Sequence, residues 1–391
     1  MRIFLPNHVK KCLKQLNSNS FSAFCVGGAV RDSLLGANPD DYDIATSATP
    51  EQVMELFERV IPTGIKHGTV TVIIDDIPIE VTTFRNDGEY SDSRHPEKVN
   101  FVGDINSDLS RRDFTVNAFA YSADTGLIDN FGGIDDLNQK VIRCVGDPKI
   151  RFNEDALRIL RAFRFCSVLN FSMDKATLGA AIELSHLLNN ISRERIYVEL
   201  SKLLCGKKPE IITDLLSADI PEYLKPKKID LNIINALGKI KPEKNIRFCF
   251  FCLATGLEAS NLFDNLKADN KTKQTVCTYL DVLRSLPLNN KTHIKKALCK
   301  INPSELCDLL ENYGIVFKHN VKQNIADIKQ IISQNEPYLI KHLNISGDDI
   351  KHCGAKERKV GQILNCLLDL VIENPTLNTH EKLTELTKKY I

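Results

Sequence analysis

No run of 18 apolar residues occurs in the 391-residue sequence, so no segment reads as a membrane-spanning helix. The start, Met1 to Lys10, lacks the apolar stretch and cleavage site of a secretory leader and the arginine richness of a transit peptide. A cytoplasmic protein without a membrane partner is expected. Net charge is nearly absent too, with 51 Lys+Arg against 50 Asp+Glu. That balance hides a gradient. Residues 211–391 hold 26 basic and 21 acidic side chains, leaving 25 and 29 in the first 210. An acidic first half suits metal binding, and a lysine-rich far half suits a polyanion. No fixed-period repeat exists, which excludes a solenoid. Twelve cysteines are scattered through apolar segments and form no disulfide framework. The one C-x-x-C, Cys249 to Cys252, lies in an apolar run and reads as helix packing rather than a zinc or redox site.

The length exceeds what one core usually serves, so about two to four domains are expected. Residues 1–20 have helical spacing, and Phe21 to Val26 reads as a strand. Gly27-Gly28 turns into a helix from Ala29 to Leu35, and Asp41 to Ile44 is the next strand. Thr49-Pro50-Glu51 starts a helix predicted to reach Val60. The runs 69–74 and 77–84 form a hairpin around Asp75-Asp76. From Asn153 onward helical periodicity takes over, with helices predicted at 153–170, 174–190 and 192–205 and shorter ones beyond. The pattern is a mixed α/β head followed by a long all-α remainder.

Chemistry concentrates in the head. On a strand, Asp41 and Asp43 would leave the same face, roughly 7 Å apart at the backbone. Two such carboxylates can hold hard divalent cations, and Glu80, on a predicted strand, could add a third. Gly27 and Gly28 let the backbone approach a ligand, the helix start that follows attracts phosphate, and Arg31 can reach the same oxygens. Glycine pair, arginine and Asp-x-Asp strand together point to metal-dependent nucleotide chemistry.

Gly27 through Gly36 with Asp41 and Asp43 resembles the first motif of the class II tRNA nucleotidyltransferases and their poly(A) polymerase relatives, in the polymerase β-like superfamily. Arg111 through Ala120 resembles the second motif, Glu154 through Phe165 the neck helix, and Ser192 through Leu200 the element after it. The likeness is strong over 1–205 and returns at Ile345 to Gly361, which resembles the tail of bacterial CCA-adding enzymes. It implies a polymerase β-like head at 1–143, a helical neck at 144–205, a helical body at 206–340 and a tRNA-binding tail at 341–391.

The resemblance assigns Arg111, Arg112 and Asp113 to the incoming nucleotide's sugar, where Asp113 can meet the 2′-hydroxyl. Asn117 reads as a structural hydrogen-bonder. At i,i+3 on a helix, Asp155 and Arg158 could pair with each other and match the Watson–Crick edge of a base bearing an amine. A bidentate contact of that kind is worth about 1–3 kcal/mol. In the family this is how CTP and then ATP are selected. Arg161 and Arg164 follow on an adjacent arc and could hold triphosphate or primer. The polar segment from Asn86 to Lys98 resembles the loop that switches C to A addition, with Arg94-His95-Pro96 where the family usually has Arg-Arg-Pro. The far half lacks the phosphohydrolase His-Asp pair of some relatives. Its clusters at Lys291, Lys295, Lys296, Lys300 and at Lys351, Lys356, Arg358, Lys359 could track a tRNA backbone, with Gly347, Gly354 and Gly361 permitting close approach.

The resulting expectation is template-independent addition of CCA to tRNA 3′ ends from CTP and ATP by two-metal nucleotidyl transfer, with two Mg²⁺ ions on Asp41 and Asp43 and tRNA held by its 3′ end and acceptor/T arm. An A-adding enzyme or poly(A) polymerase is the near alternative. An RNA-binding protein that has lost catalysis is the distant one.

Overall fold

The computed structural model describes residues 3–87, 99–285, 288 and 290–391. The chain divides into two compact units, one of residues 1–226 with 265–267 and one of 227–264 with 268–391.

The first unit opens with α1 (Asn7–Ser18), β1 (Ala23–Val26), α2 (Gly28–Leu34), β2 (Asp43–Thr46) and α3 (Pro50–Leu56). Then come β3 (Val60–Gly64), β4 (Thr69–Ile74), β5 (Ile77–Thr83), β6 (Arg85–Asp87) and β7 (Val99–Phe101). Next are α4 (Ile105–Ser110), β8 (Ala120–Ser122), β9 (Gly126–Ile128), α5 (Gly133–Gln139) and β10 (Val141–Ile142). The rest of the unit follows as α6 (Pro148–Glu154), α7 (Leu157–Leu169), β11 (Ser172–Met173), α8 (Lys175–Glu183), α9 (Arg193–Leu204) and α10 (Ile212–Leu216).

Among the described residues, seven strands make one mixed sheet in the order β3-β4-β5-β2-β1-β8-β9. The hairpin of β4 and β5 turns at Asp75 and Asp76, both at positive φ (52° and 60°), the backbone a two-residue hairpin requires. Parallel pairing of β2 with β5 sets Asp43 opposite Glu80. Phe24, Val26, Ala45, Phe84, Leu109 and Ala120 pack into one core, which anchors the sheet beneath that pair.

Local chemistry sets where elements start and stop. Thr49 and Gln52 form a reciprocal capping box, with Pro50 in the first turn of α3. That helix stops at Leu56 rather than Val60, because the chain enters β3 at Val60. The strand predicted from Asp41 begins at Asp43, so Asp41 lies ahead of it in the connecting segment. The predicted helix over 174–190 ends at Glu183 and gives way to 3-10 turns at Ser185–Asn190.

The largest departure is in the neck. The helix predicted over 153–170 is two helices, broken at Asp155, whose backbone is extended at φ −139° and ψ 103°. Aspartate competes with helix hydrogen bonding through its own side chain. Here Oδ1 of Asp155 accepts the Leu157 N–H at 3.1 Å. α7 then buries Ile159, Ala162, Phe163 and Cys166, and α9 presents Ile196, Leu200 and Leu203 from the neighbouring helix.

The second unit is helical: α11 (Leu231–Ala236), α12 (Lys244–Thr255), α13 (Ala259–Asn265), α14 (Asn270–Arg284), α15 (Lys291–Leu298), α16 (Pro303–Phe317), α17 (Lys322–Ser333), α18 (Gly347–His352), α19 (Glu357–Glu373) and α20 (His380–Thr387). Cys249 and Cys252 are buried in α12 among Phe248, Phe250 and Phe251, and burial pushes the Cys252 thiol up to about 12. Leu367, Val371, Ile350 and Leu383 hold α18, α19 and α20 around a local core. Among the described residues no single helix is long and apolar enough to cross a membrane.

Candidate active site

The carboxylates gather where the start of β2 pairs with β5, in the middle of the sheet. Asp43 opens β2 in register with Glu80, and Asp41 precedes it by two residues. The Asp43 carboxyl is held above its ordinary range by desolvation and by the like charge of Glu80, with Arg112 opposing and Asp41 adding to the rise. Among the described residues no three such side chains converge into a ready metal cage.

Behind them the glycine turn runs into α2. Gly27 has φ +70°, and a Cβ there would come within 2.7 Å of Arg112 Nη1. The positive φ strains any residue with a Cβ, and the close approach would push the Arg112 guanidinium aside. Arg31, nearly buried, donates to both oxygens of Asp32 at 2.8 and 2.9 Å and to Asn117 Oδ1 at 2.5 Å. The helix thus delivers an arginine whose fork is fixed before any ligand arrives.

The second motif is organised by a residue that the sequence reading passed over. Asp108 on α4, 1% exposed, pairs with Arg111 at 2.7 Å and Arg112 at 3.3 Å and accepts the Arg85 N–H. Burial alone would raise its carboxyl; the two arginines and these hydrogen bonds bring it below the ordinary range. Asp113 faces the neck instead. Its Oδ1 accepts from Phe114 N and Asn117 Nδ2 (2.8 and 3.0 Å), and its Oδ2 accepts from Arg161 Nε and Nη2 (2.8 and 2.5 Å). Against the cost of burial, Arg161 and these bonds lower Asp113 to about 2. All four acceptor positions of the carboxylate face protein donors. Asn117 is the structural hydrogen-bonder expected, linking Arg31 to Asp113.

The neck residues are held differently from the sequence expectation. Asp155 and Arg158 do not share a helix and their side chains do not pair. Arg158 donates to Glu154 at 2.5 Å and to the carbonyls of Arg151 and Arg111 at 3.2 and 3.0 Å. Asp155 accepts from Arg195 of α9 at 2.9 Å. Arg164 approaches Glu199 of α9 to 2.7 Å and stacks over Phe165 at 3.9 Å. Arg31 and Arg161 face the same ring at 5.3 and 5.4 Å. Burial and the neighbouring Arg161 outweigh Glu199 and lower the Arg164 guanidinium to about 10.

Together these groups line one cleft of about 460 Å³, with Gly27, Gly28 and Asp43 on its head side and Asp155, Arg158, Arg161 and Arg164 on its neck side. Six arginines against three aspartates give the lining an excess of three positive charges. Such a site suits a polyanion. Asp41 and Glu80 are not part of the lining itself. Asp108 was missed in the sequence, while Glu154, Phe165, Arg195 and Glu199 fell inside the family-like stretches without a role of their own. For Asp108 and Glu154 the signal was present, since each stands three or four residues from the arginine it pairs. The segment 88–98 with Arg94-His95-Pro96 lies outside the described residues.

In the second unit the expected lysine cluster is partly internal. Lys295 is 2% exposed and pairs with Glu336 at 2.8 Å, which also takes Lys291 at 2.8 Å. Lys295 therefore cannot reach a nucleic-acid backbone. Lys351, by contrast, is exposed beside Asp348 and Glu357.

Two family models match the chain: a poly(A) polymerase head domain over residues 23–143 and a probable RNA- and SrmB-binding site of polymerase A over residues 170–227. The CCA-adding enzyme of Ligilactobacillus salivarius is 34% identical, with 99% of this chain and 98% of that protein covered. That of Staphylococcus haemolyticus is 33% identical with the same coverage of both. The crystal structure of the Bacillus stearothermophilus CCA-adding enzyme in complex with CTP superposes with a TM-score of 0.84 at 28% identity, covering 99% of this chain and 98% of that one. With full-length similarity, a matching fold and a head of polymerase type, the chain belongs to the CCA-adding enzyme family of nucleotidyltransferases.

Proposed function

We propose that this protein adds CCA to the 3′ end of tRNA without a nucleic-acid template, taking CTP twice and then ATP. The observation that carries the reading is the arginine-lined cleft, which holds Asp43 on one side and Asp155 with Arg158 on the other. In each step the primer O3′ bonds to the α-phosphorus of the incoming nucleotide, the bond to the β-phosphate breaks, and pyrophosphate leaves.

The residues divide the work by position. Arg31 and the amides after Gly27 hold triphosphate oxygens, with Arg111 and Arg112 set on Asp108 beside them. Asp113 fixes Arg161, so ribose recognition at this end involves the pair rather than a free carboxylate. Asp155 accepts from the exocyclic amine of cytosine or adenine, and Arg158 donates to the ring nitrogen or carbonyl next to it. Arg161 and Arg164 hold triphosphate or primer phosphate.

Asp41 and Asp43 would hold Mg²⁺, with Glu80 beside them. Their fit to a hard cation rests on the burial of Asp43 and the like charges of Glu80 and Asp41 beside it, which together raise its carboxyl and which a bound divalent ion would offset. Mg²⁺ is commonly held by one or two carboxylates plus substrate phosphates, a donor set that Asp41 and Asp43 could supply. When bound, the metal would lower the pKa of the primer hydroxyl and stabilise charge on the transferring phosphoryl group. We take 1–143 as the catalytic head, 144–205 as the neck, 206–340 as the body and 341–391 as the tRNA-binding tail of a cytoplasmic enzyme. The model match over 23–143 supports the first of these.

The test uses tRNA ending at the discriminator base and tRNA ending in CC, each with labelled CTP or ATP. Two C and one A on the first substrate are expected. Addition of A to the CC end with no C on the bare end would instead make this an A-adding enzyme, and unlimited A on generic RNA would make it a poly(A) polymerase.

A further inference from the structure

We propose that Arg195 is the positioning residue for Asp155, and that it sets the orientation of the carboxylate with which the cleft rejects bases lacking an amine. The proposal rests on the base-reading role given above to Asp155 and Arg158.

Asp155 stands between two helices on extended backbone, so no helical geometry directs its side chain. Its direction is set by two donors: Leu157 N–H on Oδ1 at 3.1 Å and Arg195 Nη2 on Oδ2 at 2.9 Å. Among the described residues, only Arg195 donates to it from another element, 40 residues away on the first turn of α9. The other terminal nitrogen of Arg195, Nη1, is buried with no hydrogen-bond partner among the described residues. Leaving such a donor unmatched is costly. The guanidinium is thus placed for Asp155 rather than for its own full satisfaction. Arg158 is held separately, by Glu154 and the carbonyls of Arg151 and Arg111.

The two readers therefore have independent supports, and loss of Arg195 removes only that of the acceptor. Each oxygen of Asp155 takes one protein N–H and retains one acceptor position. Held still, it accepts from the amine of cytosine or adenine and offers nothing to the keto oxygen of uracil. Freed from Arg195, the carboxylate can rotate away, and both the gain from the amine and the penalty on uracil shrink.

The experiment compares kcat/KM for CTP and UTP on tRNA ending at the discriminator base, in the wild type and in Arg195→Met, Arg195→Lys, Asp155→Ala and the Asp155→Ala/Arg195→Met double variant. A ratio taken within one preparation is independent of the fraction folded. Arg195→Met is expected to lower the CTP/UTP ratio about tenfold, mainly through KM for CTP. Arg195→Lys restores part of it, and the double variant is no less selective than Asp155→Ala. A ratio unchanged in Arg195→Met while it falls in Asp155→Ala overturns this proposal and leaves the base-reading role standing. A further fall in the double variant also overturns it, because Arg195 would then act by another route. An unchanged ratio in Asp155→Ala removes the base-reading role, and this proposal with it.

Discussion

Asp113 and Asp43 are carboxylates of one cleft with opposite electrostatic surroundings. Asp113, lowered to about 2 by Arg161 and its hydrogen bonds, stabilises the fold in its charged form. That contribution is complete above the ordinary carboxylate value of about 3.9 and is lost as pH falls toward 2. Asp113→Asn should therefore flatten the acid limb of a stability–pH curve over that window, read by urea unfolding at a series of pH values. Asp113→Ala removes the nearer of the two carboxylates that Arg161 pairs with, leaving Glu199 at 3.8 Å, and should cost up to about 3–5 kcal/mol. Asp43 has the reverse sign. Its raised carboxyl favours the fold while protonated, and this is lost as pH rises through its folded value. Asp43→Asn should leave metal-free thermal stability at neutral pH unchanged or higher while lowering kcat by on the order of 10²–10³. Lower stability together with retained activity would contradict the assignment.

At the scale of elements, the turn from β1 into α2 is the least tolerant position. Gly27→Ala places a methyl group 2.7 Å from Arg112 Nη1 on a backbone at φ +70°. That backbone, with ψ at −128°, alone costs about 1–3 kcal/mol for a residue with a Cβ. Displacement of Arg112 should raise KM for both nucleotides together without changing the choice between them, as steady-state kinetics would show. Thr49→Ala, which removes one half of the capping box of α3, should cost about 1 kcal/mol and leave kinetics unaltered. These elements were legible from short-range chemistry: the capping sequence, the Asp-Asp hairpin and the glycine pair each act within a few residues. The neck break was not. Helical periodicity continues across Asp155, and only the competition of its side chain for the Leu157 N–H ends α6 there.

For the molecule as a whole, charge in the second unit separates into buried and exposed classes. Lys295 belongs to the first, paired with Glu336 inside the helical packing. Lys295→Met should destabilise that unit by up to about 3–5 kcal/mol by leaving Glu336 short of a partner. Its KM for tRNA should stay within twofold of wild type when assayed well below the melting temperature. A large rise in that KM with unchanged melting would return Lys295 to the tRNA-facing set. Phosphate contacts by the exposed lysines should make KM for tRNA climb steeply with salt, more so than KM for CTP.

Motif order, strand-and-helix alternation and the identities of the glycines, carboxylates and arginines were enough to place the chain in its family and to name the cleft residues. All of these depend on local spacing, and local spacing survives in one dimension. How those residues are held was decided only in three dimensions. Asp155 meets Arg195 across 40 residues and Asp113 meets Arg161 across 48. Each pairing depends on how α7 packs against its neighbours, and no periodicity records that. A buried charge takes whichever opposite charge the packing brings close, because desolvation makes an unpaired one too costly.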